Sequence, residues 1–429
     1  MSEWAAVMTL VVPEGQQNGR AVARVVPLRL PPIYKPLARR RASAAREREL
    51  RSLQDYAWRF QSVVAGIPGL AVSYGDRPVR VLQVIPRDGA LTELNVQVPV
   101  HHLPRDYSEH AHRIAAAMGA CRVRVQQFAP GQLLIELLHS DPLREPVRLS
   151  TEPLRSVTDL IYLGRDETDQ GYWLTPVELV HLIVQGATGS GKSVFTYGLL
   201  SQLVGIPEVL IAMSDPTGLL TRPFIGTVHA EWQVSDSANI DAHIDLLRRL
   251  VEMMDQRIQN LLPRRDQVEI SDGCPLVFVV LEEYPGLIRA AAQVDAADKR
   301  KSGGKVEQIK GLVGRLAAES RKAGMRLVIL AQRAEASILD SYTRGQMTVK
   351  LSFRVAEAAS IEMLHPTGRE EAEEHATSAA GIALLSAPGV KLKRIKTPWL
   401  GVADDGPEYA RYWDLVTTYA ARLPQEAAE

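Results

Sequence analysis

The sequence predicts an α/β protein built on a mainly parallel β-sheet, and three observations lead to that prediction. From about residue 178 onward, apolar runs alternate with helical stretches. Residues 186–193 match the phosphate-loop pattern G-x-x-x-x-G-K-[ST]. Another apolar run leads directly into two carboxylates, Glu282 and Glu283. Continuous apolar strands that are separated by helices are typical of a parallel sheet with both faces covered.

The composition excludes several classes of protein. The chain has 429 residues, 46% of them hydrophobic, and its 50 Lys and Arg balance 50 Asp and Glu. Cys121 and Cys274 are its two cysteines, which excludes a disulfide framework and a zinc cluster. No uncharged apolar run approaches the roughly 18 residues that a spanning helix needs, and the start of the chain lacks the signal-peptide pattern. We therefore expect a cytoplasmic protein with no membrane span of its own.

The N-terminal segment, residues 1–64, is predicted to be a basic arm that continues into a helical linker. Residues 1–62 hold 11 Lys and Arg against 5 Asp and Glu, with most of the excess in Lys35–Arg41. A basic patch of this kind can hold phosphates. The alternative is a solvated helix or linker.

Residues 65–150 are predicted to form a small α+β domain. Its apolar and polar residues alternate as they do in half-buried strands. The expected elements are strands at 79–86, 94–98, 122–125 and 133–137, and a helix at 110–118.

Residues 151–400 are predicted to hold the parallel sheet. The expected strands are the apolar runs at 181–185, 208–214, 275–281, 326–331 and 348–355. The expected helices lie at 191–203, 240–262 and 306–323. A basic, glycine-containing loop at 298–305 interrupts this alternation, and residues 401–429 are expected to form a helix, around Glu408–Leu423, and a polar tail.

The phosphate-loop motif predicts a nucleotide site. Glycines let backbone N–H groups converge on phosphate oxygens, and the following helix offers its positive N-terminal end. Lys192 is expected to reach the β- and γ-phosphates of ATP, and the Ser193 hydroxyl is expected to ligate Mg²⁺. The loop follows an apolar run and opens a helix, which argues against a glycine-rich turn without a ligand. The predicted nucleotide-binding residues are Gly186, Ala187, Thr188, Gly189, Ser190, Gly191, Lys192 and Ser193.

Three polar side chains after neighbouring strands are candidates for catalysis. Glu282 is expected to contact the magnesium shell, directly or through water, although Asp is the usual residue at that place. Glu283 is expected to orient and deprotonate the attacking water. Gln332, at the tip of another apolar strand, is expected to sense the γ-phosphate or position water. The alternative for the two glutamates is an acidic pair at a helix N-terminus.

Together these segments resemble the FtsK/SpoIIIE family of DNA-pumping ATPases, over roughly residues 75–400. Leu163–Asp166 followed by His181–Ser193 is similar to the family's entry into its motor core. Ile211–Pro216 resembles its second strand, and Arg321–Arg333 resembles its helix, sensor strand and glutamine. Residues 77–149 resemble the small domain that precedes the motor.

The resemblance implies a RecA-like P-loop core that assembles as a ring, a homo-hexamer, around double-stranded DNA. It places Arg321 where a trans-acting arginine finger reaches a neighbour's nucleotide, because charge that develops on the γ-phosphate needs a fixed cation. From the residues alone, Arg321 is one of several arginines on a solvated helix face. The chain carries Ala358 where members often have a lysine, so Lys350 or Arg354 would have to substitute.

We expect an ATP-driven translocase of double-stranded DNA for conjugative transfer of a plasmid or integrative element. The family's membrane-spanning region and winged helix are not expected, so the chain looks most like the compact transfer (Tra) proteins of actinobacterial conjugative elements. A membrane-protein partner that recruits it to the membrane is compatible with this role. Two alternatives are a protein-secretion coupling ATPase and a non-motor nucleotide switch. The candidate DNA contacts are Lys299, Arg300, Lys301, Lys305 and the cluster Arg39–Arg41.

Overall fold

A computed structural model of the chain describes residues 9–17, 20–27, 37–71, 77–87, 91–150, 152–298, 303–335, 338–355, 357–366, 372, 375–376, 378–401 and 407–421. The chain divides into two compact units, Met1–Pro142 and Leu143–Glu429. The finer domain boundaries that the sequence suggests, at residues 64, 150 and 400, stay predictions.

The first unit contains a four-stranded antiparallel sheet and the helices that cover it. Its elements are β1 (Thr9–Gln17), β2 (Arg20–Pro27), α1 (Leu37–Ala65), β3 (Arg80–Arg87), β4 (Leu91–Gln97), α2 (Pro104–Glu109), α3 (Ala111–Met118), β5 (Arg122–Ala129) and β6 (Gln132–Leu138). Strands β1 and β2 pair antiparallel within the segment that the sequence predicts to be an arm. The four strands of the sheet lie in the order β3-β4-β6-β5. Phe60 and Val64 of α1 pack with Ile114 of α3 against this sheet.

The second unit contains a large mixed sheet and a separate two-stranded sheet. Its strands are β7 (Val147–Arg148), β8 (Ile161–Asp166), β9 (Gly171–Leu174), β10 (Leu182–Gln185), β11 (Val209–Asp215), β12 (Gln233–Ser235), β13 (Leu276–Leu281), β14 (Met325–Ala331), β15 (Val349–Phe353), β16 (Ile382–Ala387), β17 (Val390–Lys396) and β18 (Pro398–Trp399). Its helices are α4 (Lys192–Leu203), α5 (Ile240–Gln259), α6 (Tyr284–Ala297), α7 (Lys305–Glu319), α8 (Ser341–Gln346), α9 (Ala358–Leu364) and α10 (Glu408–Tyr419). Short 3-10 turns occur at Pro142–Arg144, Arg222–Phe224 and Ala230–Trp232.

Within the described residues, ten strands form one sheet in the order β12-β11-β13-β14-β10-β15-β16-β17-β8-β9. The strands from β12 to β15 run parallel to one another. The strands from β15 to β9 pair antiparallel and extend the sheet at one side. The predicted α/β class with a mainly parallel sheet is therefore confirmed, and β10, β11, β13, β14 and β15 occupy the predicted apolar runs.

Both faces of the parallel part are buried, which explains its continuous apolar runs. Along β14, Val328 and Leu330 pack into the same cluster as α4 and α10, whereas Leu327 and Ile329 pack with α5, α6 and α7. Because successive side chains of a strand point to opposite faces, one apolar run fills two cores. The polar residues that follow each strand then lie together at its carboxyl edge.

Candidate nucleotide-binding site

The phosphate loop connects β10 to α4 at the carboxyl edge of the sheet. The Gly186 N–H donates to the Ala331 carbonyl over 3.2 Å, which attaches the start of the loop to the end of β14. Gly189 and Gly191 have φ values of 73° and 111°, a region that disfavours every residue with a Cβ. A Cβ on Gly191 would also lie 2.8 Å from the Gly381 nitrogen. The fold therefore requires the glycines of the motif.

The groups around the loop fit a bound phosphate. Gly186 to Gly189 and Gly191 to Ser193 all line the space beside the loop. The first N–H groups of α4 face the same loop, where a helix N-terminus favours an anion. A cavity of about 440 Å³ opens here. Seven of the eight motif residues line it, with Glu282, Glu283 and Gln332, whereas Ser190 is buried and does not line it.

Lys192 forms an ion pair with Glu283 inside this cavity. Its Nζ donates to Glu283 Oε2 over 3.1 Å, and Lys192 is 9% exposed. The second oxygen, Oε1, lies 3.8 Å from an Arg289 nitrogen. Glu283 has a φ of 45°, which costs a residue with a side chain on the order of 1–3 kcal/mol and recurs at functional sites. The predicted phosphate-binding cation and the predicted base are therefore neighbours.

Glu282 occupies the preceding position at the end of β13, where its N–H donates to the Ser214 carbonyl over 2.9 Å. Burial raises the pKa of its carboxyl to about 7, the charge of Lys192 opposes that rise, and the charges of Asp215 and Glu283 add to it. A cation in the cavity would favour the ionised form. Among the described residues, no group of three or more His, Cys, Asp or Glu side chains could hold a metal. A Mg²⁺ ion on Ser193 and Glu282 would need further oxygen ligands from phosphate and water, as is usual for this ion.

The structure separates Arg321 from the other predicted site residues. Arg321 lies between α7 and β14, at the amino end of that strand, whereas Gln332 follows its carboxyl end. At ~3.3 Å per residue, a strand of this length puts about 20 Å between its two ends. Arg321 is exposed and does not line the cavity. Of the two suggested substitutes for the missing lysine, Arg354 accepts the Ala187 N–H through its carbonyl, and Lys350 pairs with Ile183 within the sheet.

Sequence reasoning missed one wall of the cavity. Thr217, Leu219 and Leu220 line it, and they follow β11, the strand next to β13. The Tyr409 and Tyr412 hydroxyls of α10 donate to the carbonyls of Leu219 and Leu220 over 2.8 and 2.7 Å. The acidic end of β11, Asp215, was the available signal, because in a parallel sheet the ends of adjacent strands meet.

Most of the predicted DNA contacts lie outside the described residues, namely Lys299, Arg300 and Lys301, together with the side chains of Arg39–Arg41. Lys305 is described, and it begins α7. Its ammonium forms an ion pair with Asp241, which neutralises much of its charge. Lys305 is therefore a weaker candidate than the sequence indicates.

Comparisons with known proteins bear on this arrangement. No protein-family model matches the chain. It is 25% identical over 284 residues to the DNA translocase FtsK of Sporosarcina ureae, an alignment that covers 60% of this chain and 34% of that protein. It is 24% identical over 271 residues to the FtsK of Borreliella burgdorferi, covering 58% and 32% of the two chains. The chain thus spans about a third of the length of these relatives.

A solved structure shows the fold independently. The conjugation coupling protein TcpA of pCW3, solved as a monomer with ATPγS, superposes with a TM-score of 0.50 at 15% identity, covering 81% of this chain and 96% of that one. In the described part of this chain, no helix has both the length and the apolar character that crossing a bilayer requires. The chain is thus similar in sequence to FtsK DNA translocases and has a P-loop ATPase fold, and the resemblance that its motifs predict is confirmed.

Proposed function

We propose that this chain is a magnesium-dependent ATPase that drives translocation of double-stranded DNA. The observation that carries the proposal is the meeting of the phosphate loop with Glu282, Glu283 and Gln332 around one cavity. Its similarity to FtsK translocases over 60% of the chain supports DNA as the substrate. Likeness to a conjugation coupling protein favours a role in conjugative transfer.

The residues of the cavity divide the chemistry between them. Lys192 leaves Glu283 when a phosphate offers its negative charge, and Glu283 is then free to orient a water and accept its proton. Gln332 holds that water or the γ-phosphate from the end of β14. Ser193 and Glu282 would hold Mg²⁺, which would neutralise charge that develops on the phosphate oxygens.

The site is completed by a second copy of the chain. Arg321 lies at the opposite edge of the sheet from its own cavity, and no ion pair holds its exposed side chain within the described residues. An exposed, unpaired arginine can instead enter the cavity of a neighbouring subunit. We propose a homo-hexameric ring in which each Arg321 serves the next site, in the cytoplasm and with a membrane-protein partner at the place of transfer.

A DNA-stimulated ATPase assay tests the function. The wild-type protein should hydrolyse ATP faster when linear duplex DNA is added, and Lys192→Ala should be inactive with and without DNA. The same protein should displace a third strand from a triplex in an ATP-dependent manner. Hydrolysis that duplex DNA leaves unchanged would instead favour a protein-secretion ATPase or a nucleotide switch.

A further inference from the structure

Arg321 is exposed, but the turn that carries it is anchored in the protein, since Ser320 and Ala323 on either side are buried. The turn joins α7 to β14, and all four of its carbonyl groups from Ser320 to Ala323 accept hydrogen bonds. The donors are Ala323 N and Met325 N to Ser320, Gly324 N and Arg326 Nη1 to Arg321, Val268 N to Lys322, and Arg257 Nη1 to Ala323. Two of these donors are the side chains of Arg326 and Arg257.

Arg326 is the first of these arginines and is only 4% exposed. Its guanidinium donates to backbone carbonyls alone: to Val177 over 2.8 and 3.2 Å, to Met325 over 2.9 Å and to Arg321 over 3.4 Å. No carboxylate of the described residues forms an ion pair with it. Burial, with a contribution from Arg321, lowers its pKa to about 10, so it stays charged at neutral pH.

A buried charge without a counter-ion is costly, and an apolar side chain would fill the same space without that cost. The guanidinium does what an apolar side chain cannot, because it bridges the turn at Arg321 to the segment at Val177 before β10. Its positive charge also repels the Arg321 side chain, which disfavours folding of that side chain back onto the protein.

Arg257 holds the same turn from α5. Its Nη1 donates to the carbonyls of Pro275 and Ala323, each over 2.9 Å, and burial lowers its pKa. Gly324 closes the turn with a φ of 69°, where an added Cβ would lie 2.7 Å from the Ile270 side chain. The turn is thus held by hydrogen bonds at both ends, and its backbone conformation requires a glycine at position 324.

We propose that Arg326 and Arg257 are positioning residues for Arg321. They preorganise its turn so that the Arg321 guanidinium meets the γ-phosphate of the ATP bound to a neighbouring subunit. The inference rests on the proposed function, since it takes Arg321 as a finger that acts in trans. A fixed cation stabilises developing charge without reorganisation during the reaction. A displacement of about 1 Å at such a group can cost on the order of a hundredfold in rate.

The test compares ATP binding with turnover and then mixes variants. Arg326→Gln should bind a fluorescent ATP analogue with wild-type affinity but turn over ATP about a hundredfold more slowly. Mixed with Lys192→Ala, which retains an intact finger turn, it should recover activity. Mixed with Arg321→Ala, it should not recover, since both subunits then lack a working finger. The turnover of Arg326→Lys should be intermediate, because a single ammonium nitrogen cannot span the carbonyls of Val177 and Arg321 as the guanidinium does.

Arg315→Gln is the matched control, because Arg315 is an exposed arginine of α7 that pairs with Asp255 and Glu319. It should leave turnover unchanged. If Arg326→Gln does not fold, Arg257→Gln must give the same mixing pattern. Wild-type turnover of the folded variant would overturn the inference. The inference would also be overturned if the mixture of Arg326→Gln with Lys192→Ala stayed inactive while the mixture of Arg321→Ala with Lys192→Ala recovered activity. If the mixture of Arg321→Ala with Lys192→Ala also stays inactive, the assignment of Arg321 as the finger is wrong, and with it the proposed shared site.

Discussion

At the residue scale, a nucleotide that binds the phosphate loop must replace Glu283 as the partner of Lys192. The two side chains meet at 3.1 Å, and both are largely buried in the cavity. An ATP phosphate must take the Lys192 ammonium away from the carboxylate. If Glu283 is the proposed base, the same step would free it to accept a proton, so that binding would prepare the base for the reaction.

Glu283→Gln should therefore bind ATP more tightly than the wild type and fail to hydrolyse it. An amide competes less well for Lys192, and a hydrogen bond between charged groups is worth about 1.5–3 kcal/mol, so we expect about a tenfold gain in affinity. Equilibrium binding of a fluorescent ATP analogue and steady-state turnover measure the two effects. Glu252→Gln, on the exposed face of α5, is the control. Retained hydrolysis would show that Glu283 is not the base.

Glu282 should make the stability of the nucleotide-free protein depend on pH. Its folded pKa of about 7 lies above the ordinary value of 4.5. The folded state therefore binds more protons than the unfolded state between these values, and the contribution of Glu282 to stability is lost as the pH rises through that window. Relative to Glu282→Gln, the wild type should lose about 3 kcal/mol of unfolding free energy between pH 4.5 and 7.5.

Urea unfolding of both proteins without Mg²⁺ measures this difference. Glu252→Gln should follow the wild type at every pH. If the gap between wild type and Glu282→Gln does not change with pH, Glu282 is not held protonated by its surroundings.

At the element scale, the sequence predicts the parallel strands well because they are apolar on both faces. The runs at β13 and β14 are unbroken, and each ends in the polar residues that the site uses. The antiparallel extension was not predicted. Its β8 and β17 pair through Arg165 and Lys396, far apart along the chain, and such long-range pairing leaves no local periodicity.

Helix α10 supports the cavity wall at Leu219 and Leu220, although it lies about 190 residues later in the chain. The sequence alone does not reveal this contact. Tyr412→Phe removes the hydrogen bond to the Leu220 carbonyl, so we expect a loss of about 1–2 kcal/mol in unfolding free energy and a raised KM for ATP. Tyr419→Phe on the same helix is the matched control and should change neither. A Tyr412→Phe protein with unchanged KM would show that the wall at Leu219 and Leu220 does not contribute to nucleotide binding.

At the scale of the whole molecule, the sequence locates the phosphate loop, both glutamates and Gln332, because each stands at the end of an apolar strand. It could not show that Lys192 pairs with Glu283. That pairing depends on the backbone of Glu283, which has a φ of 45° just before α6 begins. It also could not show how Arg321 is held, since Arg257 and Arg326 reach the turn from separate elements.

DNA binding should be independent of sequence and should weaken steeply with salt, because a backbone-tracking motor contacts phosphates. Neutralising Lys299, Arg300 and Lys301 together should reduce the slope of log K against log salt by up to about 3. Lys305→Gln should have a smaller effect per charge, because Asp241 already pairs with it. Fluorescence anisotropy of a labelled duplex measures the slopes. An unchanged slope in the triple variant would assign these charges to solvent.

The central claim is that each ATPase site is shared between two copies of the chain, and mixing Arg321→Ala with Lys192→Ala tests it most directly. Each variant alone should be inactive, since loss of an arginine finger costs on the order of a thousandfold or more in turnover. In the mixture with duplex DNA, hydrolysis should recover wherever an intact loop meets an intact finger, and recovery should rise with protein concentration. A mixture that stays as inactive as either variant alone, while both still assemble, would contradict the shared site.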